Sequence, residues 1–334
     1  MIDLRSDTIT KPTPGMLDAM MSAEVGDDVF DGDPTTSLLQ NRLAEMFRMD
    51  KALFFPSGTM ANQVALRIQT NPQDEVICHK HSHIYLYEGG GMAANSQLSP
   101  KLLEGDRGRI TAETVAASIN SDDIHYPKSS LVGIENTMNR GGGSIYSLEE
   151  IMKIRKVCDE NGLNLHMDGA RLFNALVETG ENPDEYGPLF DTISICFSKG
   201  LGAPIGSVLL MKRELYPKAL RVRKMMGGGM RQVGYLAAAC LYALDHHIDR
   251  LKEDHRRARI LGEALSKSQY VQNVLPVDTN IVIVELNGIT PADYLETLSK
   301  KGVKAVAFGA NAVRFVTHLD FGDNDLEIIL TLLK

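Results

Sequence analysis

The chain has 334 residues, 43% hydrophobic and 23% charged, with 29 Gly, 13 Pro and no Trp, an ordinary globular composition that excludes disorder, collagen-like repeats and coiled coil. Its 35 Lys and Arg against 43 Asp and Glu leave a formal charge of −8. That field repels nucleic-acid backbones and anionic membrane surfaces, so any small anionic ligand needs a local site that overcomes it.

The opening MIDLRSDTIT carries two acids and an Arg in its first seven residues and has no apolar run, so it does not read as a secretory signal. Asp33 before Pro34 suits an N-cap and first turn, opening a helix whose Leu39, Leu43, Met46 and Phe47 share one face. Apolar strand patterns follow at 52–55, 75–78, 130–134, 163–167, 192–197 and 207–211, alternating with helices. Ser147 to Glu150 reads as a capping box, and that helix stops at Gly162. This βα alternation predicts an α/β fold with a mainly parallel sheet flanked by helices. After Gly227-Gly228-Gly229, one long helix is expected over 232–266 as a bridge. Beyond it come strand 281–286, helix 292–301, strand 303–307, strand 313–317 and helix 326–333, a smaller C-terminal α+β unit. The expected division is 1–247, an N-terminal arm and large domain, and 248–334, a small domain. The longest apolar stretch, LAAACLYAL at 236–244, is far shorter than the ~20 residues of a membrane span. Cys78, Cys158, Cys196 and Cys240 form no CxxC pair and read as reduced, buried thiols of a cytoplasmic protein.

Three segments carry chemistry. Pro56-Ser57-Gly58-Thr59-Met60-Ala61-Asn62 follows a strand and opens a helix running to about Gln69, gathering free N–H groups at a positive dipole end that favours a phosphate. It lacks the P-loop Lys and the spaced glycines of a dinucleotide site. LNLHMDGARL at 163–172 delivers Asp168 and Arg171 at a strand's carboxyl end, where ligands of open α/β sheets bind. Ser198-Lys199-Gly200-Leu201-Gly202 leaves another strand, with small residues that let a ligand approach an amine able to form a Schiff base. Taken singly, each has an ordinary structural reading: a βα turn, a capping Asp with a surface Arg pair, a solvated Lys. Together they match pyridoxal 5'-phosphate, whose phosphate needs N–H donors, whose pyridinium needs a carboxylate and whose aldehyde needs an amine.

With these segments in hand, the chain resembles the low-specificity L-threonine aldolases, within the aspartate-aminotransferase-like, fold type I group of pyridoxal phosphate enzymes. The resemblance spans nearly the whole length: Arg5-Ser6-Asp7-Thr8, Gly26-Asp27-Asp28-Val29, Asp33-Pro34-Thr35, SGTMAN at 57–62, HSHI at 81–84, ENT at 135–137, HMDGARL at 166–172 and SKGLGAPIGS at 198–207. It departs at Phe30-Asp31-Gly32, where the family has a Tyr-Gly-Glu-like sequence. The resemblance implies that Lys199 holds the cofactor as a Schiff base, Asp168 faces the pyridine nitrogen, Gly58 and Thr59 bind the phosphate and His83 lies on the ring face. It implies that Ser6, Arg171 and Arg314 meet the substrate carboxylate, Arg171 also nearing the cofactor, and that Tyr87 reaches a neighbouring subunit's site. The implied reaction is retro-aldol cleavage of L-threonine and L-allo-threonine, small-molecule β-hydroxy-α-amino acids, to glycine and acetaldehyde. His83, His125 or an ordered water would take the hydroxyl proton, in a homodimer or homotetramer.

Three rivals stand beside this reading. The nearest keeps the cofactor but performs β-elimination or hydroxymethyl transfer. Alternating His79, His81 and His83 would share a face on an extended backbone and permit a metal-dependent hydrolase, which ranks lower because no acidic cluster accompanies them in sequence. A non-catalytic amino-acid-binding protein is disfavoured by the intact Lys199 and Asp168.

Overall fold

The computed structural model describes residues 1–333. The chain opens on a short strand, β1 (Ile2–Asp3). A large sheet is then built from β2 (Lys51–Phe55), β3 (Glu75–His79), β4 (Ser99–Leu103), β5 (Ser129–Glu135), β6 (Asn164–Gly169), β7 (Thr192–Cys196) and β8 (Ser207–Met211). Their spatial order is β2-β8-β7-β6-β5-β3-β4, with the β4-β3-β5-β6-β7 stretch parallel and β8 antiparallel to both β7 and β2. Every residue of β3, β5, β7 and β8 is buried, which is why these strands read as unbroken apolar runs rather than alternating ones. β4 escaped the sequence pattern: it is an edge strand, SPKLL, exposed or half-buried throughout, and carries Pro100.

Two layers of helix cover the sheet. The cap at Asp33 is present, its Oδ1 accepting the Thr36 N–H at 2.8 Å, a contact type worth about 1 kcal/mol. The box at Ser147 is only half formed. Ser147 Oγ accepts the Glu150 N–H, but the Glu150 carboxylate turns away to accept the Ala112 N–H at 2.7 Å. Helix α1 (Gly58–Gln69) buries Ala61, Val64, Ala65 and Ile68 against Leu53, Phe55 and Leu209 of the sheet.

The expected helix over 232–266 is two helices, α2 (Gly234–His246) and α3 (Leu251–Leu265). No Pro or Gly breaks it; tertiary contacts do. His247 Nδ1 lies 2.7 Å from the Leu201 carbonyl and Arg250 donates to the Gly200 carbonyl at 3.3 Å, so the residues of the break turn toward the large sheet's loop. Past α3 come β9 (Val271–Val274), β10 (Ile281–Leu286), β11 (Val303–Lys304), β12 (Val306–Ala307) and β13 (Ala312–Val316). The single strand expected at 303–307 is divided: β11 pairs with β1, whereas β12 joins the antiparallel sheet β12-β13-β10-β9. A separate core of Leu4, Leu261, Leu265, Val282, Phe315 and Leu326 fills this small C-terminal domain, so residues at the chain's start pack with its end. No described helix is long and apolar enough to cross a membrane, and all four cysteines are buried and unpaired.

Candidate active site

The carboxyl ends of β5, β6 and β7 lie level, because Asp168 is in register with Glu135 on one side and Ser194 on the other. Above them, Gly58, Thr59, Asn62, His83, Asp168 and Lys199 are among the residues around a cavity of about 260 Å³. Five of the sequence candidates, Gly58, Thr59, His83, Asp168 and Lys199, thus meet in one place.

Each wall has a local cause. Ser57 caps α1, its hydroxyl accepting the Met60 N–H at 3.2 Å. The Gly58 and Thr59 N–H groups, in the first turn, have no intrahelical acceptor and sit at the cavity edge. Position 58 demands glycine, since a Cβ there would lie 2.5 Å from Cys196 Sγ. Asp168 Oδ2 accepts from Asn62 Nδ2 at 2.8 Å and Oδ1 accepts the Ala170 N–H at 3.1 Å. Burial pushes the Asp168 carboxyl up, but the charges of His83 and Lys199 outweigh it and hold it below the usual range. Neighbouring Glu135 goes the other way: burial and the Asp168 charge push it up to about 7. Two adjacent buried carboxyls therefore divide the roles, Asp168 keeping its charge.

Lys199 leaves the end of β7 on the loop that His247 and Arg250 pin. Its Nζ lies 3.8 Å from Cys196 Sγ and forms no ion pair with a carboxylate among the described residues. The amine is therefore uncommitted. His83 opens a short helix; its N–H donates to Glu135 Oε2 at 2.8 Å, and its Nδ1 is 3.0 Å from Glu88 Oε1. Burial lowers the His83 pKa, yet the Glu88 contact and the Asp168 charge raise it further, leaving it above the ordinary value. The three alternating histidines do not converge. The chain turns at Lys80–His81, so the extended backbone that would align them ends at His79. His83 joins Glu88 and Asp168, while His79 and His81 line a different cavity.

The expected carboxylate ligands are placed unevenly. Arg171 is buried with its Nε and Nη2 both donating to Asp7 at 2.7 Å, so most of its fork is taken up by the N-terminal arm and it does not line the cavity. Ser6 caps the adjoining turn, accepting the Thr8 N–H at 3.2 Å. Arg314, on β13, donates to Asn139 Oδ1 at 2.7 Å and to the Arg5 carbonyl at 3.0 Å, while its buried Nε has no partner. Burial and the Arg171 charge bring its pKa down to about 10, so a carboxylate arriving beside it is favoured. The Tyr87 ring centroid is 5.7 Å from that of His83. His125 is not brought to the cavity: its side chain is 80% exposed and its Nδ1 sits 2.7 Å from Asp123 Oδ1, in a local turn that holds it in solvent. Asp7, Glu88 and Glu135 escaped the sequence reading as functional residues. Glu135 lies inside ENT and Asp7 inside RSDT, but residue type alone does not reveal that one supports His83 and the other claims Arg171.

An uncommitted Lys and a buried, ionised Asp thus stand together at the strand ends of a mainly parallel α/β sheet. The beta-eliminating lyase family matches residues 3–288. The low-specificity L-threonine aldolase of Escherichia coli K12 is 41% identical over 327 residues, 98% of this chain and 96% of that protein. A probable low-specificity L-threonine aldolase 2 of Arabidopsis thaliana is 38% identical, covering 99% of this chain and 95% of the relative. The chain belongs to this low-specificity L-threonine aldolase family. In fold it is similar to the solved threonine aldolase of Leishmania major, with a TM-score of 0.86 over all of this chain and 98% of the other at 21% identity.

Proposed function

We propose that the protein cleaves L-threonine and L-allo-threonine to glycine and acetaldehyde with pyridoxal 5'-phosphate. The observation that carries this is the joining, around one cavity, of a helix start with free N–H groups, an ionised buried carboxylate and an amine with no ion-pair partner. The donor set fits the cofactor: Gly58 and Thr59 would hold its phosphate, Asp168 its ring nitrogen and Lys199 its aldehyde, with His83 in the same cavity. When bound, the cofactor supplies an electron sink for the pair released as the substrate Cα–Cβ bond breaks. The chain's residues do the rest. Arg314 orients the substrate carboxylate, with Ser6 and the remaining Nη1 of Arg171 nearby, which selects the bond that stands in line for cleavage. Glu88 fixes the orientation of the His83 ring through Nδ1, leaving Nε2 as the atom that accepts a proton from the β-hydroxyl. His125, exposed beside Ile124, which is itself 98% exposed, would serve a site of another copy. We accordingly propose a homodimer or homotetramer in the cytoplasm, Tyr87 lying at its subunit boundary, with residues 1–247 and 248–334 as its two domains.

The test is incubation of purified protein with each threonine isomer, with glycine and acetaldehyde measured beside the absorption spectrum. The expected result is equal release of both products and a Schiff-base band that Lys199→Ala abolishes. A colourless protein that takes up no pyridoxal phosphate would overturn the reading, and a keto acid with ammonia would establish β-elimination instead.

A further inference from the structure

Beyond His83 and Tyr87, at the carboxyl ends of β3 and β4, lies a second cavity of about 240 Å³. His79, Lys80, His81, Arg107 and Arg140 line it, and Glu104 is the sole acid in its wall. Several of these groups are settled within the fold. Lys80 Nζ meets Glu104 Oε1 at 2.5 Å. Arg107 donates to Asp278 at 2.9 Å and to the carbonyls of Gly141 and Pro276. His79 Nδ1 accepts the His81 N–H at 3.0 Å, and burial above all brings its pKa down to about 4, so the ring is neutral.

Two groups remain unsatisfied. Arg140 makes no hydrogen bond and no ion pair among the described residues, and its Nε is buried without a partner. Its guanidinium contacts only ring faces, 4.5 Å from the Phe308 centroid and 5.8 Å from that of Tyr87. His81 Nδ1 is likewise buried without a partner. Burial, then the charges of Arg140 and Lys80, hold His81 below its ordinary range. Arg140, whose guanidinium has no polar partner, and His81, with an orphaned ring nitrogen, both line this one cavity; they carry a desolvation cost that an anion would offset with charge-assisted hydrogen bonds. Neutral apolar ligands would leave both groups unpaired.

We propose that this cavity binds a small oxyanion, a carboxylate or phosphate, with Arg140 as its main ligand and Lys80 and His81 beside it. The Tyr87 ring lies near both His83 of the active-site cavity and Arg140 of this one, so the anion would lie alongside the reacting centre, not in it. One source is the distal carboxylate of a long β-substituent on the substrate, which rests on the proposed cleavage; the other is a free anion, which does not.

Two measurements test this. Calorimetry titrates inorganic phosphate into the pyridoxal phosphate-loaded protein, whose α1 start is already filled by the cofactor's own phosphate. Kinetics compares β-(4-carboxyphenyl)serine with β-phenylserine, a pair differing in charge at the far end. Arg140→Gln is expected to weaken phosphate at least tenfold if the anion is free, or to lower the ratio of kcat/KM for the two substrates at least tenfold if it is substrate-borne; Arg140→Lys should retain part of either effect. Phosphate affinity and substrate ratio both unchanged in Arg140→Gln would overturn the proposal. If Arg140→Gln does not fold, His81→Gln is judged by the same criteria. Should the protein take up no cofactor, the cleavage reading fails, yet the Arg140 dependence of phosphate binding still decides this one.

Discussion

Asp7→Asn removes a charge while keeping the side chain's shape, and strands Arg171. Asp7 is 0% and Arg171 7% exposed, so water cannot take over from the lost partner. Burial pushes the Asp7 carboxyl up, but the Arg171 charge and hydrogen bonds, Lys199 and Asn280 bring it down to about 2 from an ordinary 3.8. By linkage, a drop of this size corresponds to roughly 2 kcal/mol favouring the ionised form in the folded state. Removing one member of a buried pair costs more, about 3–5 kcal/mol, because the remaining charge is uncompensated. The expected loss is therefore about 3 kcal/mol at neutral pH, read from guanidinium unfolding with an unchanged slope. Because the folded pKa lies below the unfolded one, the contribution is complete above the unfolded value and fades as pH falls from about 4 toward 2. The gap between wild type and variant should narrow over that window. The double variant Asp7→Asn with Arg171→Met should regain stability relative to Asp7→Asn, since no buried charge is left. A single-variant loss below about 1 kcal/mol, or a double variant with no recovery, would refute a buried, dry ion pair.

Gly58→Ala must push a methyl against Cys196 Sγ, and overpacking of about 1–3 kcal/mol is expected; equilibrium dialysis should show weaker pyridoxal phosphate uptake, and undiminished uptake would argue against Gly58 as part of the phosphate cup. Glu88→Gln withdraws the contact that raises the His83 pKa, so the His83 proton resonance should titrate at lower pH than in wild type; a titration that stays put would separate His83 from Glu88. Arg314→Leu should raise KM for L-threonine at least tenfold while the cofactor band persists, as expected for loss of a charge-assisted carboxylate contact. An unchanged KM would move the carboxylate elsewhere.

The large sheet was legible because its strands are buried on both faces, and the helix starts because Asp33, Ser57 and Ser147 are strong local caps. What escaped depends on distant partners. β4 is an edge strand whose exposed residues give no period. The break between α2 and α3 is set by carbonyls of Gly200 and Leu201, about fifty positions away, so no local breaker marks it. In the site, Lys199 and Asp168 stood out because strand ends and small residues bracket them. The sequence does not show that Asp7 reaches Arg171, and without that pair Arg171 looks like an open carboxylate ligand.

That pairing bears on how an acidic chain holds anions. The site is not a positive patch: Asp7, Glu88, Glu135 and Asp168 crowd the same strand ends as the cations. Arg171 is neutralised by Asp7, and His83 leans on Glu88. Lys199 and Arg314 form no ion pair, although opposite charges lie close by: the half-buried Lys199 meets only Cys196 Sγ, and Arg314 donates to the neutral Asn139 amide and the Arg5 carbonyl. Anion recognition here comes from withholding partners from particular cations, a local property on which a net charge of −8 has little influence at contact distance, since exposed charges beyond about 8–10 Å are screened by salt. It follows that raising ionic strength should weaken threonine binding far less than Arg314→Leu does. A KM that climbs tenfold between low and physiological salt would show instead that the substrate carboxylate is held by the outer field.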